Sequence, residues 1–195
     1  MKTLIINGSP RKNGCTITLL NELKKHLQGE IFQIDTYYAN SSPCFDCRHC
    51  YTHEDCIIND EMQESYKMMD EADNVIVASP VYFGNLTGSL LNWASRLQLF
   101  WVSRNIRKVE PLSTKRRKGA IILVHGSDCS VEPAIFSGKD ILLKTRAECC
   151  ETLNLLVSEV EHRPSPTQEI MNSMVSLASV LNLSRTSPQV EMEVR

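Results

Sequence analysis

The chain has no run of the roughly 20 apolar residues that a bilayer-crossing helix requires. Its 21 basic and 23 acidic side chains leave a net charge of −2, so no field exists to gather nucleic acid or an anionic membrane. The opening Met1-Lys2-Thr3 runs straight into an apolar segment, without the h-region and small-residue cleavage site of a secretory leader. These absences predict a cytoplasmic protein whose partners are neither nucleic acid nor membrane. No internal repeat, low-complexity tract or second-domain boundary is visible. At 195 residues, one core can bury roughly 70% of the unfolded surface without disulfide staples. A single domain over residues 1–195 is expected, with a cysteine-rich insertion at about 37–60 and a flexible tail from about 184. Two nucleotide signatures are also missing. No Gly-Lys-Ser/Thr closes a Walker loop, and there is no Gly-x-Gly-x-x-Gly, which argues against a nucleoside triphosphate or a full dinucleotide as resident ligand.

What is present alternates between two periods. Thr3–Ile6, Ile31–Ile34, Val75–Ala78 and Ala120–Val124 are short apolar runs bounded by turn residues, as buried strands are. Leu155–Val160 is a candidate fifth. Between them lie helical stretches at Thr16–Leu27, Glu61–Glu71, Leu86–Phe100 and Ala134–Thr152, with a last helix at Thr167–Leu183. In the first, Ile17, Leu20, Leu23 and Leu27 share a face and Gly29 stands where a helix stops. Strands apolar on both faces, separated by helices, predict an α/β three-layer sandwich on a parallel sheet. Five strands fit the order 2-1-3-4-5, whose ligands bind beyond the strands' carboxyl ends where the first and third part.

Two loops would meet at that point. After the first strand the chain reads Gly8-Ser9-Pro10-Arg11-Lys12-Asn13-Gly14-Cys15-Thr16. A helix N-terminus offers unpaired N–H groups and a positive dipole end, Gly8 and Gly14 let the backbone curl, and hydroxyls and Arg11 add donors, so the turn suits one terminal phosphate. A polar turn without a ligand has the same composition. After the third strand stands Ala78-Ser79-Pro80-Val81-Tyr82-Phe83-Gly84-Asn85. Its aromatics offer a stacking surface for a flat ring, or else pack into the core. Together the loops suggest a ligand with a phosphate at one end and a planar ring at the other, which describes flavin mononucleotide (FMN).

The segment after the second strand holds Cys44, Cys47, Cys50 and Cys56, a C-x2-C-x2-C-x5-C pattern. The first three match ferredoxin-type [4Fe–4S] ligation, although the ferredoxin fourth cysteine comes sooner and precedes a proline. Structural zinc usually takes two separated pairs, but His49 and His53 lie close enough in sequence to complete a mixed site. Free thiols or labile disulfides are the third alternative.

With these three motifs in view, the sequence resembles the flavodoxin-like NAD(P)H-dependent FMN reductase family. It is most similar to the branch with a compact cysteine motif, the iron-sulfur flavoprotein-like proteins. The residues that carry the resemblance are Gly8 to Thr16, the Cys44 to Met62 segment and Ala78 to Gly84. The resemblance implies a flavodoxin-like fold and bound FMN. The phosphate would be held by Ser9, Arg11, Asn13, Gly14, Cys15 and Thr16. The ring would lie against Pro80, Val81, Tyr82, Phe83, Gly84 and Asn85, with Gly126 and Ser127 after the fourth strand. Cys44, Cys47, Cys50 and Cys56 would be the metal ligands of a [4Fe–4S] cluster where one is bound. Relatives often carry Asn where Cys15 stands and Asp-Arg where this chain has Ser95-Arg96. They often have a glycine-rich loop where it has His125-Gly126-Ser127-Asp128.

The implied activity is an FMN-dependent oxidoreductase with NAD(P)H as co-substrate, delivering electrons to a quinone, a flavin, a small organic acceptor or a redox protein. No side chain is nominated as catalytic, because the cofactor carries the chemistry. The rival is a non-enzymatic flavin carrier or redox-responsive module, with or without a cluster. The family also implies a homodimer or tetramer. The basic stretch Arg104 to Lys118 reads as a solvated loop, and Cys149-Cys150 reads as part of a helix.

Overall fold

The two faces of one sheet decide where every apolar residue goes. In a computed structural model, which describes residues 1–127, 130–160 and 163–183, five parallel strands stand in the order β2-β1-β3-β4-β5. They are β1 (Lys2–Asn7), β2 (Glu30–Asp35), β3 (Asn74–Pro80), β4 (Arg117–His125) and β5 (Ala147–Leu156). Helices α1 (Cys15–His26), α2 (Met62–Glu71), α3 (Gly88–Ser95), α4 (Gln98–Val102), α5 (Glu132–Lys144) and α6 (Gln168–Asn182) supply the covering layers. Side chains alternate across a strand. Leu4, Ile6, Val75, Val77, Ile121 and Leu123 therefore face α2, α3 and α5, where they pack with Met62, Leu90, Trp93 and Leu142. Ile5, Ile76, Ala78, Ala120 and Ile122 face the other way, against Leu19, Leu20 and Leu23 of α1 and Met174 and Leu177 of α6. The expected flavodoxin-like sandwich and strand order are what the chain forms. β1 pairs with β3 through Ile6–Val77, and β3 with β4 through Val77–Ile121, so the carboxyl ends Asn7, Pro80 and Val124 come out together.

Several elements differ from the sequence expectation. The helix expected over Ala134–Thr152 ends at Lys144, because the Thr145 hydroxyl donates back to the carbonyls of Ile141 and Leu142 and Arg146 turns left-handed at φ +57°. The chain then enters β5 eight residues before the expected strand start. Cys149 and Cys150 thus lie on an edge strand, at an irregularity where Gly119 and Ala120 of β4 face Cys149 and Glu151. The helix expected over Leu86–Phe100 breaks at Arg96, and α4 runs on into a π-helical turn at Ser103–Arg107. A short antiparallel pair, β6 (Ser158–Val160) and β7 (Arg163–Ser165), was not foreseen. The tail from 184 lies outside the described residues.

The basic stretch is corrected in part. Arg117 is fully buried, donating to the carbonyls of Met69 and Asp70 and to the Ser113 hydroxyl. The Lys118 ammonium closes the end of α6 on the carbonyls of Val180 and Leu183, both at 2.6 Å. Arg104 and Arg146 converge on Glu110. Arg104, Arg117 and Lys118 thus tie elements together, whereas Lys108 and Arg116 are exposed, as a solvated loop requires.

Candidate functional site

The loop after β1 is organised by its first residue. Asn7 is buried at the strand end, its amide donating to Asp35 on β2 at 2.7 Å while its Oδ1 accepts from the Ser9 N–H at 3.0 Å. The Ser9 hydroxyl then bridges to the Arg11 backbone, accepting from its N–H and donating to its carbonyl. The chain enters α1 from Gly14, an N-cap with no side chain to offer, and no acidic residue stands in the first turn. A helix start without a side-chain acceptor is what a terminal phosphate would satisfy.

The loop after β3 is pinned against it. The Gly8 N–H donates to the Ala78 carbonyl at 2.8 Å, and the Thr87 hydroxyl donates to the Gly8 carbonyl at 2.8 Å. A Cβ at Gly8 would sit 2.9 Å from Thr87 Oγ1 and 3.0 Å from both Ser79 Oγ and Leu90. The absence of a side chain at position 8 therefore serves loop-to-loop packing. Tyr82 and Asn85 exchange backbone hydrogen bonds of 2.9 and 3.0 Å around Phe83 and Gly84, both left-handed at φ +52° and +74°. This is a two-residue turn of the I′ kind, in which a glycine is ordinary and a phenylalanine is not. The Ala134 N–H at the start of α5 holds the turn through the Gly84 carbonyl. Tyr82 and Phe83 are both exposed, so neither is core packing.

The two loops frame one pocket of about 350 Å³. Ser9, Arg11, Gly14, Cys15, Thr16, Pro80, Val81, Tyr82 and Gly126 line it, as expected from sequence. Asn13, Phe83, Gly84, Asn85 and Ser127 do not line it. Asn85 instead turns its Oδ1 to the Leu86 N–H and the Ser137 hydroxyl, and Ser127 offers its carbonyl to His125 Nδ1 at 2.6 Å. Pro10, Val124, His125 and Val157 complete the lining and were missed. Val157 belongs to the segment after β5, which the sequence shifted by several residues. His125 turns Nδ1 to that carbonyl, and its Nε2 is buried and without a partner among the described residues. The residues fit a flavin nucleotide: a capless helix start for the phosphate, an exposed tyrosine beside the strand ends for the ring, and volume within the usual ligand-pocket range.

The cysteine segment builds a second cavity. Asp46 and Arg48, on either side of Cys47, are left-handed at φ +54° and +61°, which curls the backbone tightly between the first three cysteines. Cys44, Cys47, Cys50 and Cys56 line one small cavity together with Arg96 and Leu99. Burial pushes the Cys50 thiol up, and the other three cysteines push it the same way, so all four sulfurs share one neighbourhood. No cysteine among the described residues is in a disulfide. The rings of His49 and His53 stack on each other at 3.9 Å, and no group of three or more His, Cys, Asp or Glu side chains among the described residues is set to hold a single metal ion. A four-iron cluster spreads its ligand sulfurs more widely than one ion does, and four thiols round one cavity fit its donor set.

Two residues of α3 and its end hold this segment in place. The Ser95 hydroxyl accepts from the Cys44 N–H at 2.9 Å. Arg96 is only 1% exposed and pairs with Asp60 at 2.7 Å. Burial raises the Asp60 carboxyl, but Arg96 and the N–H groups of Ser42 and Met62 outweigh it and hold its pKa below the ordinary value. The Tyr66 hydroxyl donates to the Arg96 carbonyl at 3.0 Å, and burial pushes its pKa up.

Comparison with known proteins bears on both sites. The family model described as NADPH-dependent FMN reductase matches residues 1–129. The chain is 33% identical over 100 residues to an iron-sulfur flavoprotein of Archaeoglobus fulgidus, a match covering 50% of this chain and 46% of that one. It is 30% identical over 130 residues to an iron-sulfur flavoprotein of Methanosarcina thermophila, covering 65% of this chain and 64% of that one. The chain thus spans about half to two thirds of the length of these relatives. Among solved structures, general stress protein 14 of Treponema denticola, in complex with FMN, superposes with a TM-score of 0.60 at 17% identity, over 93% of this chain and 99% of that one. That likeness speaks for the fold. No described helix is long and apolar enough to cross a membrane.

Proposed function

The chain belongs to the NADPH-dependent FMN reductase family, and from that premise we propose that it is an FMN-dependent oxidoreductase. It would pass electrons from NAD(P)H to a quinone, a free flavin, a small organic acceptor or a redox protein. One observation carries the reading: the loops after β1 and β3, distant in sequence, are bonded through Gly8 and Thr87 and frame a single pocket. Bound FMN would supply the redox chemistry, accepting electrons from the nicotinamide and handing them on. The protein's part is to bind and orient. The start of α1 and Arg11 would hold the phosphate, and Tyr82, Pro80 and His125 would bear on the ring. The exposed position of Tyr82 leaves room for a second planar molecule.

The four cysteines would hold a [4Fe–4S] cluster, which supplies one-electron steps; the cavity they line and the name shared by the two curated relatives support this. That same cavity favours a second reading, an electron carrier that does not turn over with NAD(P)H. Assembly into a homodimer or tetramer is part of the proposal. Stopped-flow mixing of anaerobic, FMN-loaded protein with NADH and with NADPH tests it. Rapid bleaching of the flavin by either nucleotide is expected. Reduction only by dithionite or a partner protein favours the carrier, and protein that fails to take up FMN at micromolar concentration overturns both.

A further inference from the structure

Arg96 does more than close a helix. Its Nη1 donates to the Ser42 carbonyl at 2.9 Å and to Asp60 Oδ2 at 2.7 Å, and its Nη2 donates to the Ile58 carbonyl at 3.2 Å. Ser42 precedes Cys44, and Ile58 and Asp60 follow Cys56, so one guanidinium clasps both limbs of the cysteine segment. Its Nε–H is buried and has no partner among the described residues. Arg96 lines the same cavity as the four cysteines. A buried donor left unpaired is destabilising, and this one is held in place by three bonds that the same side chain makes elsewhere.

We propose that Arg96 is a positioning residue for the cysteine-bound cluster: it fixes the spacing of the Cys44 and Cys56 limbs and reserves its Nε–H for a sulfur of the bound group. This rests on the cluster reading above. Hydrogen bonds to the sulfurs and nearby charge set the reduction potential of such a centre. A buried guanidinium favours the more negative, reduced state, so it raises the potential. Asp60 offsets part of that charge but not the directed N–H bond.

The test compares wild type with R96K and R96Q, prepared anaerobically and loaded with ferrous iron and sulfide. Each is titrated with dithionite while the electron paramagnetic resonance of the cluster is followed, and circular dichroism and FMN binding report the fold. In R96Q the one-electron reduction equilibrium is expected to fall at least tenfold, a potential ~59 mV more negative. R96K keeps the charge without the planar fork and should lie between. Potentials of the loaded variants within twofold of wild type, in equilibrium terms, overturn the inference. If R96Q takes up no iron, R96K decides alone, and a wild-type potential there overturns it. If neither loads while circular dichroism and FMN binding stay at wild type, Arg96 is only an anchor of the loop, and the inference of a donor to the cluster is overturned. Wild-type protein that takes up no iron and sulfide removes the cluster reading and the inference with it, a result distinct from a cluster indifferent to residue 96.

Discussion

Tyr82 and Phe83 are adjacent, exposed and aromatic, yet they are set up for different work. Tyr82 lines the pocket, whereas Phe83 sits left-handed at the tip of the turn and touches the pocket nowhere. Tyr82→Ala should weaken FMN binding about tenfold, a loss of ~1.4 kcal/mol from the stacking surface, measured by flavin fluorescence quenching. Phe83→Asn should leave that affinity unchanged and raise the melting temperature slightly, because asparagine tolerates the left-handed region and no packing is lost. Equal loss in both variants would show that the ring lies over the tip instead. Gly84→Ala should be destabilising by ~1–2 kcal/mol in a urea titration, since position 84 is left-handed and a Cβ would lie 3.0 Å from the Ser130 carbonyl. At this scale the sequence was legible in Ser9, Arg11 and Tyr82, whose chemistry announces itself. It was silent on Asn7 and His125, because a buried amide or imidazole becomes a loop organiser only once a fold supplies its partner.

Between elements, the π-helical turn at Ser103–Arg107 and the turn into β5 are joined through one carboxylate. Glu110 accepts from Arg104 at 2.8 Å and from Arg146 at 2.6 Å. Burial raises its pKa, but the two arginines and the Leu112 N–H overcome that and bring it from 4.5 down to about 2. A folded-state pKa below the unfolded one stabilises at pH values above the unfolded pKa, and the benefit disappears as pH falls through the folded one. Wild type should therefore lose stability between about pH 4.5 and 2 where Glu110→Gln does not. The difference at neutral pH should be modest, about 1 kcal/mol, because the pair is partly solvated. Acid unfolding curves of the two proteins running parallel through that window would contradict the assignment. The periodicity of α1 and the pure apolar runs of β1, β3 and β4 made those elements readable. β5 was hidden because an edge strand carries polar residues such as Glu148, Glu151 and Asn154 on its open side, which blurs the apolar signal. The break after α3 was hidden because Arg96 looks like a helix former and is in fact a buried clasp.

Over the whole molecule, the flavin pocket and the cysteine cavity are built by different segments. The first uses the carboxyl ends of the strands, and the second uses the insertion between β2 and α2, held down by α3 and α4. Cys50→Ala should therefore abolish iron incorporation while FMN affinity stays within twofold of wild type; iron analysis and flavin titration on the same sample measure both. A joint loss would mean that the two sites fold as one unit. The strand order was legible from the alternation of elements alone, whereas the closeness of the cavity to α3 was not, since no local pattern records a contact such as that of Cys44 with Ser95. That helix has a consequence of its own. Thr87 at its head is fastened to the turn after β1 and Ser95 at its foot to the thiol loop, so eight residues, about 12 Å of helix, set the spacing of the two loops. Inserting one further turn would push the two loops about 5.4 Å farther apart and unfasten one of them, at Thr87 or at Ser95.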